Sequence, residues 1–168
     1  NYTFVAQGSN GLQVFDINNP LNPTWTTGVS FPGQARQVAL HGKRAYVAAG
    51  DGGLAIVDIS NPFNVRWLGS YDSLGETTAV SADAEHTYII DSREGLVAID
   101  IGKDMPRKLT SLDIKVNDLW LHDDLLYLAT DQGVEVVRLN KNQQFESVSL
   151  FEIEAGTQQI SGDGRSVY

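Results

Sequence analysis

Tyr46-Val47-Ala48-Ala49-Gly50-Asp51-Gly52-Gly53-Leu54-Ala55-Ile56-Val57-Asp58-Ile59-Ser60-Asn61-Pro62 reads as two short strands around a tight turn. Arg44 to Ala49 is a β-prone run, and the Gly/Asp cluster at 50–53 supplies the positive-φ positions that a hairpin turn requires. Leu54 to Ile59 is apolar on both faces except for Asp58. Ser60-Asn61-Pro62 stops it, because proline has no N–H for a ladder and restrains the residue before it. Working outward, Trp67 to Tyr71 makes a third strand and Thr77 to Ala82 a fourth, before Asp83-Ala84-Glu85 turns the chain again.

The phrase recurs. Phe4-Val5-Ala6 leads to Gly11-Leu12-Gln13-Val14-Phe15-Asp16-Ile17, and Tyr88-Ile89-Ile90 to Gly95-Leu96-Val97-Ala98-Ile99-Asp100-Ile101. A degraded copy runs from Tyr127-Leu128-Ala129 through Gly133 to Leu139. The aromatic anchors Phe4, Tyr46, Tyr88, Tyr127 and Tyr168 lie 42, 42, 39 and 41 residues apart. Four turn-bounded strands per unit describe an antiparallel meander, and strands apolar on both faces belong to a sheet covered on both sides. Units of this size that cannot bury their faces alone must stack, which is the logic of a propeller blade. Helical solenoids need long runs at 3.6-residue spacing, and the Gly and Pro punctuation leaves none. The fold expected is all-β: a β-propeller of four-stranded antiparallel blades. Four repeats fall at about 1–42, 43–84, 85–123 and 124–164, with a fifth starting at 165–168.

Bulk properties narrow the function. With 42% hydrophobic and 20% charged residues, the 168-residue chain is globular in composition. A net charge of −9 opposes nucleic acid and anionic membrane surfaces, both of which call for a basic stripe. The absence of cysteine excludes disulfides, thiolate catalysis and Cys-ligated metals. No apolar run reaches the roughly 18 residues of a membrane span, and no signal peptide is visible. The only methionine is Met105, so the sequence is compatible with a removed leader segment or with a longer parent chain.

Gly53 to Pro62 resembles the signature of LVIVD-repeat proteins, named for an apolar strand ending in Asp. Gly11 to Pro20 matches closely, Gly95 to Ile101 over the strand alone, and the fourth unit departs with Arg138 at the Asp position. The resemblance implies blades like those of β-propellers, in bacterial and archaeal proteins that are often large and exported or surface-bound. It implies no catalytic motif.

Candidate sites sort by where the repeat places them. Asp16, Asp58 and Asp100 suggest one carboxylate per blade for metal, but an Asp at a strand end before Asn-Pro is placed for an Asx-turn. Copies in successive blades do not converge. His41, His86 and His122 occupy corresponding turns of different blades and cannot share an ion. Asp51-Gly52-Gly53 and Ser9-Asn10-Gly11 lack the Lys-Ser/Thr and helix of a phosphate loop. Asp91 to Glu94 and Asp123-Asp124 lack the full calcium-loop pattern, which leaves calcium open.

Two sets remain. Val38, Val80, Leu119 and Ile160 align on the innermost strands, and two positions earlier sit Arg36, Thr78, Asn117 and Gln158. These four are the candidate axial binding set, one cation and three hydrogen-bonding groups without a base or nucleophile. The competing reading is a polar lining to a water-filled channel. Trp25 and Trp67, each nine residues after the repeat Asp, are candidates for protein contact on the outer strand, with simple packing as the competing reading.

The final Arg165-Ser166-Val167-Tyr168 replays Asn1-Tyr2-Thr3-Phe4, so a closed four-blade ring would have two segments competing for one strand. The expectation is therefore part of a longer propeller, with two copies closing one ring as the alternative. The function expected is a non-enzymatic interaction scaffold, secreted or on the cell surface. It would use no cofactor and would bind a protein or glycan partner or further blades. The alternatives are a structural subunit of an extracellular assembly, or part of a propeller enzyme whose site lies on the axial face.

Overall fold

The computed structural model describes residues 1–102, 105–154, 156–163 and 166–168. Among the described residues, fifteen strands fall into four antiparallel sheets in chain order. The first sheet holds β1 (Tyr2–Ala6), β2 (Leu12–Asp16) and β3 (Thr24–Val29), with no inner strand ahead of β1 among the described residues. The second is β4 (Gln37–His41), β5 (Arg44–Ala48), β6 (Leu54–Asp58) and β7 (Arg66–Tyr71). The third is β8 (Thr77–Ala82), β9 (His86–Asp91), β10 (Gly95–Asp100) and β11 (Arg107–Leu112). The fourth is β12 (Val116–His122), β13 (Leu125–Thr130), β14 (Gly133–Leu139) and β15 (Phe145–Glu152).

Each sheet is an up-and-down meander whose strands pair in sequence order. The sheets run one strand out of phase with the sequence repeat. β4 closes the first repeat but pairs with β5 through the tight turn at Gly42-Lys43, where Gly42 has φ 58°. A longer segment, 30–36, carries the chain from β3 to β4 and lets the next sheet begin there. Beyond β15, Ser161 and Tyr168 exchange backbone hydrogen bonds of 3.0 and 2.7 Å. Ser81 faces Tyr88 in the same way across β8 and β9. Tyr168 donates its hydroxyl to Asp163 (3.1 Å) as Tyr88 does to Asp83 (3.3 Å), so the hairpin repeats the opening of a blade. Burial, with the Asp83 carboxylate beside it, holds the Tyr88 phenol far above its usual range.

Strand alternation builds the core. In β5, Ala45 and Val47 face the first sheet and join Leu12, Val14 and Val57. Their neighbours Tyr46 and Ala48 face the third sheet and join Val80, Ile89, Val97 and Ile99. In β10 the other parity, Leu96 and Ala98, packs with Leu119, Leu126, Leu128 and Val137 of the fourth sheet. Three apolar layers thus alternate with four sheets, which is why these strands read as continuous hydrophobic runs. A fully buried leucine such as Leu96 contributes about 2 kcal/mol. The stacking sets the inner strands β4, β8 and β12 side by side, and β1 lies against β4. These are propeller blades.

Candidate functional site

The inner strands open with an irregularity. Pairing of β8 with β9 and of β12 with β13 shifts register between Thr77 and Ala79 and between Val116 and Asp118, so Thr78 and Asn117 are bulged residues. Arg36 holds the corresponding place ahead of β4: its N–H donates to Ala48 O (2.8 Å), while Gln37 is the residue paired with Ala48. A bulge interrupts the two-residue alternation and re-aims the side chain it carries.

The axial set is placed accordingly. Arg36 Nη2 donates to Glu76 Oε2 (2.8 Å), just ahead of β8. Asn117 Nδ2 donates to Thr157 O (2.9 Å) and Asp131 Oδ1 (3.2 Å). Glu76 and Thr157 lie in the segments that lead into the next inner strand, so both side chains tie one blade to the entry of the following one. Thr78 lines a groove between the third and fourth sheets with Asp91, Arg93, Asp113 and Lys115. Gln158 is exposed. The four residues stand at corresponding places, and among the described residues no hydrogen bond joins any two of them. Beside Asn117, Lys115 Nζ reaches Asp131 Oδ2 (2.6 Å). Hydrogen bonds from Lys115 and Asn117 hold the Asp131 carboxyl below its usual range.

The polar groups that do meet at the axis are one position further along. Gln37 Oε1 accepts the Val80 N–H (2.6 Å), and its Nε2 donates to Asp118 Oδ1 (3.2 Å). Asp118 Oδ1 also accepts the Leu119 N–H (2.9 Å), and Oδ2 accepts that of Ile160 (3.1 Å). Sequence reasoning missed this pair. The corresponding third-blade residue is Ala79, so the series Gln37, Ala79, Asp118 shows no shared chemistry.

Trp25 and Trp67 sit on the outermost strands β3 and β7, opposite Phe15 and Val57. They are 63% and 43% exposed. Their indole N–H groups are nevertheless fixed, Trp25 to Gln13 Oε1 (2.8 Å) and Trp67 to Gly69 O (2.9 Å). Both rings therefore present an apolar surface in a set orientation.

The aspartates that end β2, β6 and β10 form Asx-turns. Asp16, Asp58 and Asp100 each accept the N–H two residues on, at Asn18, Ser60 and Gly102, at 2.8 Å. Hydrogen bonds from Ser60 hold the Asp58 carboxyl below its usual range. The Gly102 N–H, followed by Arg107, does the same for Asp100. The histidines have separate surroundings. His86 Nδ1 lies 3.6 Å from Asp83, and His122 stacks on Trp120 with centroids 5.2 Å apart. His41 faces Arg44 across β4 and β5. Among the described residues, no histidine side chain is hydrogen-bonded to a hydroxyl. In the turn at 91–94, buried Asp91 accepts N–H groups from Gly75, Arg93 and Glu94. Its neighbour Glu94 is paired with Lys108.

The family model of the LVIVD repeat matches this chain three times, at residues 1–29, 32–73 and 74–103. No curated protein matches it by sequence. Among solved structures, the computationally designed Ika8 protein superposes with a TM-score of 0.71 at 17% identity, over 99% of this chain and 50% of that one. A chain of the nidogen/laminin complex gives 0.72 at 13% identity, over 99% of this chain and 66% of that one. The designed Ika4 protein gives 0.61 at 14% identity, over 82% and 85%. The chain thus spans half to two thirds of the length of the first two. At these identities the likeness is one of fold.

Proposed function

Because the chain belongs to the LVIVD-repeat family and folds as β-propeller blades, we propose that it is a non-enzymatic interaction scaffold outside the cytoplasm, binding a protein or glycan through its outer strands. The observation that carries this reading is the pair Trp25 and Trp67: exposed, in corresponding positions on successive blades, and each fixed by its indole N–H. Rings ordered in advance lose little entropy when a partner covers them. Arg36 and Asn117, in the axial set, are already engaged with neighbouring loops and offer no base or nucleophile. Use of a similar fold in a nidogen/laminin complex supports the reading by analogy.

The test is binding of the labelled chain to arrays of immobilised oligosaccharides and extracellular-matrix proteins. A Trp25→Ala/Trp67→Ala double variant is expected to lose about tenfold or more of any affinity, with an unchanged melting midpoint. Binding that ignores both tryptophans but falls in an Arg36→Ala/Gln158→Ala variant would move the site to the axial face.

A further inference from the structure

The innermost strand of each blade is a sheet edge. One row of its backbone groups faces the axis without a ladder partner. Two of these N–H groups, on Val80 and Ile160, are met by side chains of the preceding blade's inner strand. Gln37 Oε1 takes the first at 2.6 Å and Asp118 Oδ2 the second at 3.1 Å. Both acceptors sit one residue before the aligned apolar position, at Val38 and Leu119.

The third blade has Ala79 there and cannot supply an acceptor for Leu119. The Leu119 N–H is met instead by the Oδ1 of its own neighbour Asp118, at 2.9 Å. The small side chain at 79 also leaves the way open for Gln37 Nε2 to reach Asp118 Oδ1 at 3.2 Å, a link between residues 81 apart that passes a whole blade. Every oxygen and nitrogen of the two side chains is thereby used.

We propose that Gln37 and Asp118 form an axial relay that hands a hydrogen-bond acceptor from β4 to β8 and from β12 to Ile160, bridges β4 to β12 past Ala79, and so locks blades two, three and four at a fixed angle. The two are positioning residues. The relay satisfies edge groups that would otherwise stay open. It holds whether or not Trp25 and Trp67 meet a partner.

Amide hydrogen exchange followed residue by residue tests it. Gln37→Leu is expected to speed exchange at Val80 by about tenfold or more relative to the other amides of β8, while Ile160 keeps its protection. Asp118→Leu is expected to do the reverse. Should either variant fail to fold, Gln37→Glu supplies the second measurement. It keeps an acceptor for Val80 but sets a carboxylate against Asp118, and adding Asp118→Asn restores a donor–acceptor pair. The double variant is then expected to be more stable than Gln37→Glu alone, a rescue that general packing does not produce. Uniform exchange across β8 in folded Gln37→Leu, or additive losses in the double variant, would overturn the relay.

Discussion

At the scale of single residues, the repeat's Gly-Leu step has a clear cause at Gly53. Its φ is 71°, and a Cβ there would lie 2.2 Å from the carbonyl oxygen of Tyr71, where β7 ends. Gly53→Ala is therefore expected to cost about 2 kcal/mol or more, combining left-handed strain with the backbone clash. Gly42 has φ 58° with nothing within 4 Å of a built Cβ, so Gly42→Ala isolates the strain, at about 1 kcal/mol. Equal losses in urea unfolding would show that the close approach contributes nothing. The turn aspartates give a pH prediction. Asp58 and Asp100 have carboxyls lowered in the fold by backbone N–H donors. Their contribution is complete above the unfolded carboxylate range and is lost as pH falls through the lowered folded values. An Asp58→Asn/Asp100→Asn variant keeps the turn acceptors without the titration. It should show a shallower fall of the urea midpoint below about pH 4, and an unchanged acid slope would assign acid sensitivity elsewhere. Gly53 and Asp58 were legible in the sequence because the same backbone conformation demands the glycine in each blade and the same turn demands the aspartate in the first three. Gln37 and Asp118 were not, since an acceptor can come from several side chains or, at Ala79, from none.

At the scale of elements, the strands of the second sequence repeat were readable almost to the residue. Arg44–Ala48, Leu54–Asp58, Arg66–Tyr71 and Thr77–Ala82 fall where the turn chemistry and apolar runs place them. The bulges were not readable. Counting back two from Val38, Val80 and Leu119 assumes unbroken alternation, and the extra residue in the inner strand breaks it at Thr78 and Asn117. Arg36, Thr78 and Asn117 share no chemistry that would announce a bulge, so the sequence offers no marker. The outer strands carry one as well, at the same step in all four sheets: Val14/Phe15, Ile56/Val57, Ala98/Ile99 and Val136/Val137. In the second sheet Leu68 is the extra residue, lying between Trp67 opposite Val57 and Gly69 opposite Ile56. Such a bulge twists an exposed edge and spoils it as a template for another strand. Deleting Leu68 should regularise the edge and raise concentration-dependent self-association in size-exclusion chromatography with light scattering, whereas Leu68→Ala should not. If the deletion associates no more than the parent chain, the bulge serves the internal twist alone.

At the scale of the molecule, a stack of sheets distributes stability unevenly. The second and third sheets are covered on both faces, so β5, β6, β9 and β10 contribute buried residues to the layers on either side. The first and fourth sheets each share a layer with one neighbour, and β15 leaves Val148, Leu150 and Phe151 exposed. In a nearest-neighbour array, stability is close to a sum of unit and interface terms, so the ends open at lower free energy than the middle. Leu96→Ala, in the layer between the third and fourth sheets, should cost about 3 kcal/mol, as expected for a buried leucine. Leu150→Ala, at a site already 43% exposed, should cost about 0.5 kcal/mol. Native-state hydrogen exchange should follow the same order, with β5, β6, β9 and β10 opening only with global unfolding and β15 at a fraction of that free energy. Covering the outward faces of the first and fourth sheets, by further blades or by another chain, should raise protection at β3 and β15 first and leave the central strands unchanged. A gradient that survives such covering would show that the ends are weak because of their own sequences and not because they lack a neighbour.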